Sequence, residues 1–442
     1  MTDAATPTAA IKTLGCKLNQ FESEQIRQQL CALGCRIVPF ESPADIYVIN
    51  SCTVTARTDR DCRRLIRHAK RLNPEAFVAV TGCYAEVSPE VLEAIPEADL
   101  VAGNRQKGDL VRLIARRVGD RLGLAAPELL SSQPTYGGRG EMIDDFSDHT
   151  RAFVKVQEGC DAHCTYCIIP RARGAGRSVP KPEVVQQVQR LIDAGHPEVV
   201  LIGIHLGKYG EDLPEPMSLS ALVAELCELP GLGRIRLSSI EPREVDEALI
   251  DLVAHHPRVC RHLHIPLQSG CDSVLARMGR PYDARYYRDL VDRVKQAAPL
   301  AGQGADVMVG FPGETEEEFA QTEQFVREAP LSYLHVFSYS PRPDTPAAVM
   351  PGQVAPEVKL ARNHVLGDLS EAKRRAFANS MIGVILPAVI ERPAPDPCGL
   401  LQGMCDNYLR VELAGPHALQ GTIRTVRITG ADREILRGEL LD

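Results

Sequence analysis

Phe153-Val-Lys-Val-Gln-Glu-Gly-Cys-Asp-Ala-His-Cys-Thr-Tyr-Cys167 is a strand-like run followed at once by three cysteines, Cys160, Cys164 and Cys167, in C-x3-C-x2-C spacing. Three thiolates on one short loop hold three corners of an iron–sulfur cube and leave the fourth iron open to an exogenous ligand. Four-cysteine clusters of simple electron carriers differ, because there the protein closes every iron. The triplet therefore points to a cluster that does chemistry. Zinc is the competing reading, but a structural zinc site wants four ligands. The nearest further ligand, His163, lies inside the C-x3-C loop and is poorly placed to complete a tetrahedron.

Working outward, strand-like segments recur at Phe153–Gln157, Val199–Gly203, Arg234–Ser239, His262–Leu267, Ala305–Gly310 and Leu334–Ser338, with helical stretches between them. Six β/α units predict an incomplete parallel barrel, with function at the C-terminal ends of the strands. The triplet sits at that end of the first strand. Other strand ends carry Gly203-Ile-His-Leu-Gly207, Ser238-Ser-Ile-Glu241, Pro266-Leu-Gln-Ser-Gly270 and Val309-Gly-Phe-Pro-Gly-Glu-Thr315. Glycine lets a backbone approach a ligand closely, and a carboxylate such as Glu241 can accept ribose hydroxyls. His205, His262 and His264 read as core or hydrogen-bonding residues rather than ligands.

The first 115 or so residues also alternate strand and helix, the pattern of an α/β domain with an open parallel sheet. Ala9–Leu14, Ile46–Asn50 and Phe77–Thr81 read as strands, and a helix is expected from Phe21 to Leu33, ending at Gly34. Each strand is followed by a cysteine: Gly15-Cys16, Ser51-Cys52 and Gly82-Cys83. The carboxyl ends of parallel strands share one edge of a sheet, so Cys16, Cys52 and Cys83 are expected to converge. Cys31, Cys35, Cys62, Cys227, Cys260, Cys271, Cys398 and Cys405 read as small buried hydrophobes. Between Arg57 and Arg71 stand seven basic and two acidic residues, with Arg60, Arg63, Arg64, Arg67 and Arg71 along one helical face. That face is either simply solvated or a grip on an RNA backbone.

The net charge of −8 argues against a generally nucleic-acid-binding surface, so any such contact rests on local patches. Fourteen cysteines without a secretory signal favour metal or redox chemistry in the cytoplasm. The longest apolar stretch, Met381–Ile390, is too short to span a bilayer, so no membrane is expected. Near the C-terminus, Ile382–Glu391, Leu400–Met404, Tyr408–Leu413, Gly421–Ile428 and Ile435–Leu440 predict a small antiparallel β-barrel. The expected organisation is an α/β domain at 1–124, a linker at 125–148, the incomplete (β/α)6 barrel at 149–376 and the small barrel at 377–442.

With Tyr166 before its third cysteine, the triplet resembles the radical S-adenosylmethionine (radical SAM) signature. Together with Leu14-Gly-Cys-Lys-Leu-Asn-Gln-Phe-Glu22, Ile49-Asn-Ser-Cys-Thr-Val-Thr55 and Thr81-Gly-Cys-Tyr84, it resembles the radical SAM methylthiotransferases over nearly the whole chain. Lys-Leu-Asn after Cys16 and Cys-Thr-Val-Thr at Cys52 are most similar to the branch acting on tRNA threonylcarbamoyladenosine (MtaB type). Gly403-Met-Cys-Asp-Asn-Tyr408 resembles the TRAM module, an RNA-binding barrel, although Phe377–Asp442 holds six arginines against eight acidic residues. Tyr408 and Arg410 read as RNA contacts or, for Tyr408, as barrel core.

The resemblance implies two [4Fe-4S] clusters, one on Cys160, Cys164 and Cys167 and one on Cys16, Cys52 and Cys83. It further implies S-adenosylmethionine bound by Tyr166, Gly203, Ser239, Glu241, Gln268 and Gly310. The implied reaction is hydrogen abstraction by a 5′-deoxyadenosyl radical from C2 of the modified adenine beside the anticodon, then sulfur insertion and methylation. Expected partners are the tRNA anticodon stem-loop, an electron donor of the flavodoxin or ferredoxin type and an unidentified sulfur donor. Three alternatives stay open: another tRNA adenosine, a ribosomal protein aspartate, or a metal-containing RNA-binding protein without catalysis.

Overall fold

The computed structural model describes residues 6–125, 130, 142–146, 149–393 and 399–441. Strands β1 (Thr8–Thr13), β2 (Arg36–Ile37), β3 (Ile46–Ser51), β4 (Phe77–Gly82) and β5 (Leu100–Ala102) form a parallel sheet in the order β2-β1-β3-β4-β5. Both faces are covered, which is why β3 and β4 are near-continuous apolar runs rather than alternating ones. Ile46, Val48, Phe77 and Ala79 pack with the helices Lys17–Ala32 and Leu110–Leu122. Tyr47, Ile49, Val78 and Val80 pack on the other face with Leu65, Ile66 and Ala69 of the helix Ala56–Leu72. That helix opens on a reciprocal cap between Thr55 and Thr58. The first helix starts at Lys17, earlier than the sequence suggested, because Cys16 already occupies its N-cap.

The second body is built on β6 (Arg151–Lys155), β9 (Glu198–Ile202), β10 (Arg234–Leu237), β11 (His262–His264), β12 (Gly302–Val309) and β13 (Tyr333–Ser338), with a short hairpin of β7 (Gln157–Glu158) and β8 (Arg177–Ser178) at its mouth. β6-β9-β10 and β11-β12-β13 pair in parallel, and the bridges Ile235↔Val259 and Ser239↔His264 join the two halves. Six strands thus follow one another in chain order as an incomplete barrel. β11 stops at His264 rather than Leu267, since Pro266 has no N–H for a ladder and Gln268 takes a left-handed φ of 66°.

Among the described residues no pairing joins β13 to β6, and the first domain covers that open side. Leu18 and Phe21 of the helix Lys17–Ala32 are buried in the barrel core, with the Lys155 ammonium 5.8 Å from the Phe21 ring centre. Part of the expected linker belongs to the same core: Met142, Ile143 and Phe146 are buried there, and the Gln187 side chain bonds both the N–H and the carbonyl of Ile143. Most of the remaining linker lies outside the described residues.

The C-terminal strands β14 (Ile385–Pro393), β15 (Leu400–Cys405), β16 (Arg410–Ala414), β17 (Ile423–Asp432) and β18 (Ile435–Leu440) close into a barrel in the order β14-β15-β16-β18-β17. It is not wholly antiparallel: β16 and β18 run parallel. A closed ring with an odd number of strands cannot alternate direction throughout, so one parallel pair is forced. The expected boundary at 376/377 falls inside the helix Pro356–Ser380, whose Leu366 joins the central core and whose Phe377 and Ala378 join that of the small barrel.

The turn Cys405–Tyr408 plugs the N-terminal end of the central barrel, opposite the triplet. Arg234 and Arg236, both held by Glu198, donate to the carbonyls of Met404, Cys405 and Asp406, and Tyr408 stacks on His262 with ring centres 4.4 Å apart. Tyr408 is therefore an inter-barrel wedge, while Arg410 is exposed. Among the described residues no helix is long and apolar enough to cross a membrane.

Candidate active site

β6 delivers the triplet loop to the barrel mouth, and the loop is pinned by backbone bonds. Cys160 N–H donates to Gly174 O (3.1 Å), Thr165 N–H to Met278 O (3.0 Å) and Cys167 N–H to Cys164 O (3.0 Å). Gln157 ties the loop to its neighbour, donating to Gly159 O (2.9 Å) and accepting from His205 N–H (2.8 Å). All three thiols are free and partly buried. Burial pushes the Cys167 thiol up to about 12. With no fourth cysteine in the loop, the donor set fits a cluster bound at three corners.

Two side chains not singled out as site residues from the sequence support these sulfurs. Arg280 donates to Cys164 Sγ (3.2 Å) and forms an ion pair with Glu241. His205 places Nδ1 3.3 Å from Cys160 Sγ and Nε2 2.6 Å from Glu244. All lie along a cleft of about 900 Å³ that also takes in Gln157, Asp161, His163, Lys208, Arg243 and Tyr282. His205 is the hydrogen-bonding residue that the sequence offered beside a core role, and its strand-end position next to Gly203 is the signal that places it at the site. Arg280 lies beyond any strand end, and nothing in the local sequence marks it.

Of the six residues expected around S-adenosylmethionine, Glu241 lines this cleft. Gly203 lacks a side chain because Gln157 and Leu206 crowd it: a Cβ would lie 3.1 Å from Gln157 Cβ and 3.0 Å from Leu206 Cα. Gly310, with φ 71°, is crowded by Lys359. Both glycines thus make room for the protein's own side chains. Ser239 is exposed past β10, Gln268 bonds through its backbone with Asp306 and Met308, and the Tyr166 ring meets Phe311 edge-on at 6.5 Å.

The upstream cysteines converge as the sheet geometry requires. Gly15 takes φ 89°, and a Cβ there would lie 2.6 Å from Cys52 Sγ; Gly82 takes φ 100°, and a Cβ there would lie 2.7 Å from Ser51 N. Glycine before Cys16 and Cys83 thus lets both loops press against the end of β3. Burial is the main cause that pushes the Cys52 thiol up to about 12, and the nearby Cys83 and Cys16 push the same way. Asn104 Nδ2 lies 3.6 Å from Cys83 Sγ. Of the cysteines read as buried, Cys31 is exposed, Cys398 lies outside the described residues, and the others are buried.

A single helix connects the two cysteine sets. Immediately after Cys167, Ile168 and Ala172 pack on Cys83 and Val87, and Ala172 O accepts from Asn104 (2.7 Å). Arg173 ends the helix Ile169–Arg173 with a side chain of 0% exposure, donating to Asn19 (2.6 Å), Glu22 (2.8 Å) and Glu158 (3.2 Å). Burial alone would raise the Glu22 carboxyl, but Arg173 and Lys107, the latter 2.5 Å away, hold it well below the usual carboxylate range. On the other side of the interface Arg342 reaches Thr53 (2.7 Å) and Asp59 (2.6 Å), beside Cys52.

The basic helix begins at this mouth, with Ala56 N–H donating to Ser340 Oγ (3.2 Å). Arg60, Arg64, Arg67 and Arg71 are exposed along it, whereas Arg63 turns inward to Tyr84 OH (2.6 Å).

Residues 8–103 match the model of Uncharacterized protein family UPF0004 and residues 154–326 that of the Radical SAM superfamily. The chain is 40% identical over 439 residues to the threonylcarbamoyladenosine tRNA methylthiotransferase MtaB of Bacillus subtilis (strain 168), covering 98% of this chain and 96% of that protein. It is 33% identical to the tRNA-2-methylthio-N(6)-dimethylallyladenosine synthase of Maricaulis maris (strain MCS10), covering 97% and 96%. Among solved structures it is similar in fold to the radical S-adenosylmethionine methyltransferase TsrM of Kitasatospora setae, with TM-score 0.53, 15% identity and coverage of 90% and 80%. From its two cysteine-bearing bodies and from relatives that match it almost end to end, the chain belongs to the radical SAM methylthiotransferase family.

Proposed function

We propose that the protein methylthiolates C2 of N6-threonylcarbamoyladenosine next to the anticodon of tRNA, using S-adenosylmethionine and two [4Fe-4S] clusters. The observation that carries this reading is the helix Ile169–Arg173, which holds the triplet and the upstream cysteines on one rigid connection. A reaction that generates a radical and then forms a carbon–sulfur bond needs its two sites in fixed register with one substrate atom. The 40%-identical relative named for this substrate supports the choice of base.

Cys160, Cys164 and Cys167 would hold one cluster, which would supply the electron for reductive cleavage of S-adenosylmethionine, and Cys16, Cys52 and Cys83 would hold the second, which would supply sulfur chemistry beside C2. Arg280 and His205 fix the sulfurs of Cys164 and Cys160, and their carboxylate partners Glu241 and Glu244 fix them in turn. The electron comes from a flavodoxin- or ferredoxin-type donor. The target carbon sits on a base edge, so the nucleotide is unstacked from the anticodon loop before it enters. Arg60, Arg64, Arg67 and Arg71 hold the RNA backbone beside the mouth.

Nucleoside mass spectrometry of tRNA from a strain lacking the protein tests this reading. Loss of the methylthio form of threonylcarbamoyladenosine, with accumulation of the parent nucleoside, is the expected result. Loss confined to methylthio-dimethylallyladenosine would refute it.

A further inference from the structure

The helix covering the open side of the barrel begins with Lys17, directly after Cys16. Because Leu18 and Phe21 are buried in the barrel core, Lys17 is carried to the inner side. The charges it feels are Arg236, Arg151, Glu198 and Asp306, on β10, β6, β9 and β12. Those groups are already paired. Glu198 takes Arg234 and Arg236 at 2.6 and 2.7 Å, and Asp306 takes His264 at 3.0 Å and His335 at 3.4 Å. Among the described residues Lys17 makes no hydrogen bond or ion pair.

The Lys17 ammonium is therefore a cation in the lumen without a counter-charge of its own. His264, Asp306 and His335 bring their ligand atoms close enough for a metal ion, but a divalent cation there would stand in the field of Lys17 and Arg236. An anion is the better fit. On β13, whose side chains at this level reach the lumen, His335 and Phe337 remain exposed, Phe337 to 46%, so the space is open to a substrate group.

We propose that Lys17 is the specificity residue that pairs with the threonyl carboxylate of the substrate, an inference that rests on the substrate reading above. C2 and C6 of adenine both flank N1. A base with C2 at the Cys16 site therefore carries its N6 substituent to the same side, within reach of the residue that follows Cys16. A threonylcarbamoyl group ends in a carboxylate, which supplies the missing partner as a charge-assisted bond. A dimethylallyl group at N6 supplies only hydrocarbon and leaves the lysine desolvated and unpaired, so the same residue selects for one base and against the other.

The test uses anaerobically reconstituted full-length protein, its K17M and K17R variants, and three tRNA anticodon stem-loops bearing threonylcarbamoyladenosine, dimethylallyladenosine or plain adenosine. Dissociation constants, the KM and kcat of methylthiolation, and iron content are measured. K17M is expected to keep wild-type iron, to weaken binding of the threonylcarbamoyl loop by about 10- to 100-fold through loss of a charged hydrogen bond, and to raise KM accordingly. Its affinity for the plain adenosine loop should not change, and K17R should recover most of the loss. An unchanged threonylcarbamoyl-to-adenosine affinity ratio in K17M would overturn the assignment, as would loss of iron, which would make Lys17 a support of the cysteine loop. If wild type binds and converts only the dimethylallyl loop, the substrate reading itself has failed and the role of Lys17 falls with it.

Discussion

Replacing Arg173 with methionine should loosen the seam between the two cysteine-bearing bodies. Arg173 is fully buried and Glu22 is 5% exposed, so the substitution removes the guanidinium from two buried carboxylates, leaving Glu158 to Lys155 and Arg177 and Glu22 to Lys107 alone. Breaking one partner of a buried pair costs about 3–5 kcal/mol. Lys107 still holds Glu22 at 2.5 Å, which places the expected loss near the low end, about 3 kcal/mol. Hydrogen exchange by mass spectrometry measures such a local opening directly. Protection of the helices Lys17–Ala32 and Ile169–Arg173 should fall by roughly 10²-fold, while the sheet β14–β18 keeps its own. Adding E22Q removes the stranded charge, so the double variant should regain about 1–2 kcal/mol relative to simple addition of the two single losses. Unchanged protection in R173M, or strict additivity in the double variant, would refute the claim that this pair holds the seam.

Three further outcomes follow from the same geometry. C164A should abolish cleavage of S-adenosylmethionine, while C16A should retain cleavage, read as 5′-deoxyadenosine, yet form no methylthio product; methylthiolated tRNA from C16A would remove that cysteine from the sulfur-delivering site. The R60E/R67E pair should weaken tRNA binding and flatten the plot of log affinity against log salt by about 2, one unit for each lost phosphate contact, whereas equal slopes would leave the basic face merely solvated. Burial would raise Glu22, Glu198 and Asp306, but Arg173 with Lys107, Arg236 with Arg234, and His264 with His335 hold all three below the ordinary carboxylate range. Their folded-state values lie below the unfolded ones, so this stability is present above the unfolded pKa and is lost as pH falls through the folded ones; the urea midpoint should drop steeply below about pH 4, and a midpoint flat to pH 3 would contradict the pairing.

Much of the fold was legible because its determinants are local. Continuous apolar runs such as Ile46–Ile49 and Phe77–Val80 announce strands covered on both faces, and a cysteine after each of three parallel strands forces convergence at one sheet edge. Strand ends were less legible where a single backbone feature decides them, as Pro266 and Gln268 do for β11. Contacts between the bodies were not legible at all. Tyr408 and Arg410 share a local stretch, yet one is wedged against His262 and the other is exposed, because the partner that buries Tyr408 lies more than a hundred residues away. The same holds for Arg280, which meets Cys164 only in the folded chain, and for Arg173, whose partners Asn19 and Glu22 belong to the first domain. At Gly203 and Gly310 an added Cβ would meet Gln157 and Lys359, so each glycine also has a packing reason that local sequence does not reveal.

The most direct test of the whole account is a single-turnover reaction of the anaerobically reconstituted protein with tRNA bearing N6-threonylcarbamoyladenosine, followed by mass spectrometry of the digested nucleosides. The account predicts conversion of that nucleoside to its 2-methylthio form, accompanied by 5′-deoxyadenosine. Release of 5′-deoxyadenosine with the nucleoside unchanged, while dimethylallyladenosine in a parallel reaction gains the methylthio group, would contradict it.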